Sequence, residues 1–550
     1  MKYPAQGRLL KPWQLLVASV AALLLQACGQ TGSSLPGNGS NTGPGSNPSA
    51  GAGSCYTAAS RTASGGTSTT IAGTVRYEDR TYNATGFTGV ACLPVRNATV
   101  ELVSGSAVTL TTVTDAAGGY SFTVPAAGSY YVRALAKSGT VYNAVVKDDR
   151  DQSTYAVASG TMAVAAGDAW TAPLSAGITG AGPSFNIYDN LLKAQGVLQR
   201  YSGGQALPAL TAYWYDGKTT GTYYSYVGGG HTLDILGSSS DSDAYDDSVI
   251  LHEMGHYAAA VYSKDSSGGG AHSLSGHYDI RLTWSEGWAS FFSSVVKAEL
   301  GEANPQVYVD TTGGAGTGAA TLSFTFEIDT PSFASHTIGA DNEVAVANVL
   351  WTIYAGGAAP HLGLGFADIW ADFAGGLKTD TYVNLEGFYD HWVAAAGHPA
   401  GQLDPILAAR SIKYLADAYE ADNSPAAARA VIAGTSETHT FFPAGDTDWF
   451  SIAVTGGATY TFFTSSLGDG ADTLMTLYDT NGTTQLDQND DESTNSRASR
   501  IVYTATATKT VYLKVEPYRP LINGTDIAYA SSASWPPQIV KYGYYTLTVQ

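Results

Sequence analysis

The stretch His252-Glu253-Met254-Gly255-His256, preceded by Val249-Ile250-Leu251 and followed by Tyr257-Ala258-Ala259, constrains the fold of this chain more than any other. Its apolar residues read as a helix, which no proline interrupts through Tyr262. Asp246, Asp247 and Ser248 supply the short polar side chains that begin helices. Residues four apart share one helix face, so the two imidazoles can converge on one cation while Glu253 hangs beside it. Two histidines at that spacing, with a glutamate after the first, form the arrangement that binds zinc and carries a general base. The fold must therefore bring a third ligand to this face.

His272, His277, Asp279 and Glu286 follow within reach in sequence. His272 and His277 lie among Gly268-Gly269-Gly270 and Gly276, in what reads as a loop. Glu286 differs, because Trp284, Trp288, Phe291, Phe292, Val295 and Val296 recur around it at helical spacing. A carboxylate set in an apolar face must be paired or metal-bound, since an isolated buried charge is too costly.

The HExxH motif and the later Glu286-Gly287-Trp288-Ala289 resemble the gluzincin metallopeptidases, fungalysin most of all. Asn342-Glu343-Val344-Ala345-Val346-Ala347-Asn348-Val349-Leu350-Trp351 is similar to the next helix of fungalysin-like and thermolysin-like enzymes. The likeness runs over roughly 205–400. It implies Zn2+ held by His252, His256 and Glu286, with Glu253 as the base and a protein or peptide as substrate. Thermolysin-like enzymes carry Asp four residues after the ligand Glu and Asn just before it; here those places are Ser290 and Ser285. The resemblance also implies an oxyanion donor, a His or Tyr from the C-terminal half. His361 is the first choice, and Tyr389, His391, His336 and Tyr354 are alternatives. His231-Thr232-Leu233-Asp234-Ile235-Leu236-Gly237 reads as a strand, either an interior one or an edge on which an extended peptide could pair.

Lys2, Arg8 and Lys11 precede an apolar run of 11 residues, Leu15 to Leu25, too short to span a bilayer but fit for an export signal. Leu25-Gln26-Ala27-Cys28 resembles the lipobox of bacterial lipoproteins. The resemblance implies an exported lipoprotein of the cell envelope or extracellular surface, anchored to the membrane by lipid on Cys28. The Gly, Ser, Asn, Thr and Pro that follow cannot bury enough apolar surface to fold. Cys55 and Cys92 remain, and an exported chain would pair them as one disulfide. A net charge of −20, from 27 basic against 47 acidic residues, disfavours nucleic acid, which needs a basic patch. The chain is expected to be a monomer.

The fold expected is multidomain, an α+β zincin-like metallopeptidase domain flanked by two all-β sandwich domains. Its parts are a lipoprotein signal (1–27), a tether (28–65), a sandwich (66–175), the peptidase (176–424) and a second sandwich (425–550). Gly73-Thr74-Val75, Ala98 to Leu102, Thr114-Asp115 and Gly119 to Phe122 resemble carboxypeptidase regulatory-like domains. The last segment, with His439 to Phe450 and Asp472 to Asp479, resembles the bacterial pre-peptidase C-terminal domain. There Asp446, Asp448, Asp472, Asp490 and Asp491 either gather around Ca2+ or serve as turn residues. The expectation is a zinc endopeptidase; the alternative is a surface adhesin or polymer-binding lipoprotein working through its β modules.

Overall fold

The computed structural model describes residues 55–550 apart from 64, 67, 84–85, 140, 315–320, 331–336, 359, 396, 495 and 519–539. The leader, Cys28 and His336 lie outside the described residues. The chain forms two compact units, one running up to Tyr262 and including Ala289–Glu327, the other comprising Ser263–Trp288 and Ile328–Gln550.

The first unit is built on two sheets. One, of six strands, centres on β1 (Thr70–Asn83). Ser60–Ala63 joins that sheet by pairing antiparallel with Asp168–Thr171, and Arg61 forks onto Asp168 with two bonds of 2.9 Å. The tether expected through residue 65 therefore ends before Ser60, because backbone pairing and this ion pair fix a polar stretch that composition alone leaves loose. Cys55 and Cys92 form a disulfide.

The other sheet has nine strands, including β2 (Ala98–Ser104), β3 (Ala107–Val113), β4 (Gly128–Ser138), β5 (Ala144–Asp148), β6 (Leu210–Trp214), β7 (Tyr223–Val227) and β8 (Gly230–Asp234). Alternate burial along β2, β4 and β5 follows the two-residue repeat of a strand. The order is β7-β8-β6-β5-β4-β2-β3, with β5 and β6 parallel from Ala144/Leu210 to Asp148/Trp214. A boundary at 175/176 would cut this sheet. The sequence break there is a change of connection, not of core. Helix α1 (Gly182–Tyr201), opened by Pro183 in its first turn, is buried along most of its length. It is pinned to the sheet by Tyr188, whose hydroxyl donates to the Asn97 carbonyl at 2.9 Å. Helix α2 (Asp247–Tyr262) follows, and the hairpin β9 (Val307–Thr312) and β10 (Thr321–Glu327) completes the unit.

Helix α3 (Ile280–Glu299) contributes its first turns to the second unit and its later turns to the first. The second unit also holds α4 (Glu343–Tyr354), whose cap Asn342 accepts from the Ala345 amide at 3.0 Å. Its C-terminal part is two sheets around Phe441, Phe450, Phe462, Met475 and Tyr545, all fully buried. The five-stranded sheet runs β11 (Arg429–Val431), β13 (Asp448–Val454), β18 (Lys509–Pro517), β15 (Thr473–Tyr478), β16 (Gln485–Asn489). The four-stranded one runs β12 (Thr435–Thr440), β19 (Tyr544–Val549), β14 (Thr459–Gly468), β17 (Arg500–Thr504). Buried Asp469 accepts from the amides of Ala340 and Lys413, and buried Glu386 from those of Lys541 and Tyr542. The strands after residue 425 are thus stitched to the helical part of their own unit. Among the described residues no helix is long and apolar enough to cross a membrane.

Candidate metal centre

Helix α2 starts where α1 grips it. Asn186 and Asn190 both donate to the Asp247 carboxylate, at 3.0 and 2.6 Å. Asp246 occupies the cap position, and its carbonyl accepts from Val249 and Ile250. Its carboxylate, however, accepts from the Thr311 amide and hydroxyl of β9, tying helix to hairpin rather than capping. Ser248 is a second junction: Ser293 donates to its carbonyl, and Lys297 of α3 and the Val309 amide donate to its hydroxyl. Burial pushes the Lys297 ammonium down to about 8. Close approach of α3 to α2 depends on Gly255, where a Cβ would lie 2.6 Å from the Ala289 Cα.

His252 and His256 project from the same face of α2, their rings 5.1 Å apart and nearly perpendicular. Each offers a nitrogen, and Glu286 of α3 a carboxylate oxygen, with all three atoms within 4.8 Å of one another. Two imidazoles and one carboxylate are the donor set of a catalytic zinc site, which keeps its fourth position for solvent or substrate. The residues fit that metal. Ser290, standing where thermolysin-like enzymes carry Asp, places its hydroxyl 3.1 Å from His252 Nδ1 and so holds the ring. We expect Ser290→Ala to weaken zinc binding by about 10-fold or more, measured by competition with a chromogenic chelator; unchanged affinity would show that the bond does not orient the ligand. Ser285, in the other departing position, donates to Asp265 at 3.0 Å.

Glu253 is 8 % exposed and accepts from the Tyr224 amide at 2.7 Å. That amide belongs to β7, the edge strand of its sheet, whereas β8, which contains His231 to Asp234, is interior between β7 and β6. Of the two readings of the His231 strand, the interior one therefore holds. The cause is a hairpin turning at Gly228-Gly229, both with positive φ, which lays one more strand outside β8. An aromatic run followed by Gly-Gly is a legible hairpin signal that the sequence reading passed over. His231 packs inside, its Nδ1 2.6 Å from the Tyr224 hydroxyl, and burial lowers its pKa.

Asp279 is engaged by Arg281, and His277 by Asp341. His272 sets Nδ1 2.7 Å from Glu343 Oε2 and Nε2 3.7 Å from Glu286 Oε2. His361 has a partner on each nitrogen, Asp329 at Nε2 (2.7 Å) and the Ala358 carbonyl at Nδ1 (2.9 Å). Burial opposes its charge, but these two acceptors outweigh it and raise its pKa. Both ring nitrogens of His361 thus face acceptors, and these contacts lend the choice of His361 as oxyanion donor no support. Tyr389 packs against Tyr414 and Tyr542, Tyr354 against Trp351, and His391 faces Asp380 at 3.0 Å.

Two further groups have converging ligand atoms: Asp241 with Asp243 and Asp310, and His439 with Asp417 and Asp448. The five aspartates left open between a calcium set and turn residues divide in two. Asp446 and Asp448 join Glu420 and Asp422, while Asp472 lies within electrostatic reach of Asp490, Asp491 and Arg497. Both oxygens of Asp422 and one each of Glu420, Asp446 and Asp448 are buried without a hydrogen-bond partner. Burial, with neighbouring carboxylates, pushes Glu420 to about 8 and Asp422 to about 7.

Residues 202–399 match the Mycolysin C-terminal domain. The match makes the chain peptidase-related. It covers nearly the residues over which the gluzincin resemblance was read, though under a different family description, and contains His252, Glu253, His256, Glu286 and His361. No curated protein matches the chain. Among solved structures, the pre-peptidase C-terminal domain of a Bacillus anthracis collagenase is 14% identical over 22% of this chain and 94% of that one, with TM-score 0.16. PliG, a periplasmic inhibitor of g-type lysozyme from Aeromonas hydrophila, is 11% identical over 22% of this chain and 98% of its own, with TM-score 0.14. A cycloisomaltooligosaccharide glucanotransferase of Paenibacillus sp. gives 11% identity, 87% and 72% coverage and TM-score 0.12.

Proposed function

We propose that the chain is an exported zinc endopeptidase, held at the cell envelope by lipid on Cys28. The observation that carries the reading is the convergence of His252, His256 and Glu286 next to an oriented carboxylate, Glu253. Zinc bound to those three residues would polarise a peptide carbonyl and lower the pKa of water to about 7. Glu253 takes a proton as the water oxygen bonds to the carbonyl carbon, and returns it to the amine as the C–N bond breaks. The Tyr224 N–H holds the carboxylate in place through both transfers. An extended peptide finds its backbone partner along β7, where Tyr226 and Val227 are exposed.

Zinc content and casein hydrolysis, measured with and without a chelator, test this reading. Chelator-sensitive cleavage with about one zinc per chain supports it, and polymer binding without cleavage would favour an adhesin. Mass spectrometry of the mature chain tests the anchor through a lipid-sized mass on Cys28.

The orphaned oxygens of Glu420, Asp422 and Asp446 fit a hard cation such as Ca2+. For zinc-loaded protein otherwise stripped of metal, Ca2+ at a hundredfold excess over Kd is expected to stabilise by about 2.7 kcal/mol, a Tm rise of about 5 °C. The double variant Asp422→Asn/Asp446→Asn should lose that rise. A wild-type Tm indifferent to Ca2+ contradicts the site.

A further inference from the structure

We propose that Asp243 is a positioning residue for the general base: through the Thr222 hydroxyl it fixes the start of β7, and with it the Tyr224 N–H that orients Glu253. The inference rests on the peptidase reading above, in which Glu253 carries the proton.

An edge strand is a weak place from which to aim a backbone N–H. Among the described residues β7 is paired on one side only, by β8. The chain enters it through Thr219-Thr220-Gly221, all exposed. Yet the Tyr224 amide meets Glu253 Oε2 at 2.7 Å.

A closed ring of three hydrogen bonds just before the strand accounts for this. The Thr222 hydroxyl donates to Asp243 Oδ2, the Asp243 amide donates to the Leu236 carbonyl at 3.1 Å, and the Leu236 amide donates back to the Thr222 hydroxyl at 2.9 Å. The ring joins the entry of β7, the exit of β8 and the turn Asp243–Tyr245. Asp243 is only 6% exposed, so water competes poorly for these bonds and the network holds its geometry.

The turn leads directly into α2. The Asp246 amide donates to the Asp243 carbonyl at 3.0 Å, and the Asp246 carbonyl accepts from Val249 and Ile250 of the helix. Asp243 and Glu253 therefore belong to one stiff segment, to which β7 is bonded twice: by the Thr222 side chain and by the Tyr224 backbone. A single bond would let the strand pivot, whereas two fix both its distance and its direction. Asp243 thus acts on the proton transfer by way of the strand.

The test measures kcat at saturating peptide on full-length chains matched for zinc content. Thr222→Val keeps the shape of the side chain and removes the donor, and Asp243→Ala removes the acceptor. Each should lower kcat by about 10²-fold, the cost of a misplacement near 1 Å. Thr222→Ser, which keeps the hydroxyl, should stay within about threefold of wild type. In a Glu253→Gln background Thr222→Val should cost less than about twofold, because both changes act through one group. A general structural defect would cost as much there as in wild type. Wild-type kcat in Thr222→Val or Asp243→Ala, an equal loss in Thr222→Ser, an undiminished loss in the Glu253→Gln background, or failure of both variants to fold or hold zinc would overturn the proposal. A zinc-loaded wild type that cleaves no peptide would instead overturn the peptidase reading.

Discussion

Glu253→Gln is expected to lower kcat by about 10⁴-fold, the upper end for a general base, while zinc content stays at the wild-type level. The amide preserves shape and still accepts from the Tyr224 N–H through its carbonyl, so the 2.7 Å contact survives. It cannot take a proton from water. Glu253 lies outside the three-residue group, so its neutralisation leaves the donor set whole. Steady-state hydrolysis and metal analysis on one preparation decide the matter. Cleavage at the wild-type rate would remove Glu253 from the chemistry, and loss of zinc would make it a ligand.

Gly255→Ala should destabilise the chain by about 1–3 kcal/mol and weaken zinc binding as well. Helix propensity argues the other way, since alanine favours an exposed helix interior by about 1 kcal/mol over glycine. The steric term wins here because the new Cβ would meet backbone: the Ala289 Cα at 2.6 Å and its carbonyl oxygen at 3.2 Å. A side chain could swing away, but a helix backbone must move as a body. Glu286 lies one turn before Ala289 on the same helix, so displacing α3 shifts the proposed ligand against the two histidines. Urea melts and zinc competition report the two losses. A variant more stable than wild type would show that the interface yields without cost.

How far the sequence could be read depended on the range of the interaction. The i, i+4 histidines and the helical pattern around Glu286 are local, and the structure places both on helices. Lateral pairing was not readable. Nothing in residues 144–148 or 210–214 announces that they lie side by side in parallel, so a domain boundary fell inside one sheet. The choice between edge and interior for the His231 strand stayed open for a related reason, because Tyr223–Val227 was not read as a strand at all. Side-chain partners across long gaps were the least accessible. His361 looked available until Asp329 and the Ala358 carbonyl took its nitrogens. His272 lies in a loop as read, but its partner Glu343, 71 positions later and 2.7 Å away, was out of reach. Which of the five aspartates belong together was equally out of reach, because Glu420 and Asp422, outside those singled out, gather with Asp446 and Asp448.

The most direct measurement is an anomalous difference map at the zinc edge from crystals of the zinc-loaded chain. The account predicts one strong peak about 2.0–2.2 Å from a nitrogen of His252, a nitrogen of His256 and an oxygen of Glu286. A peak elsewhere, or one at the histidines with the Glu286 carboxylate turned out of bonding reach, would contradict it.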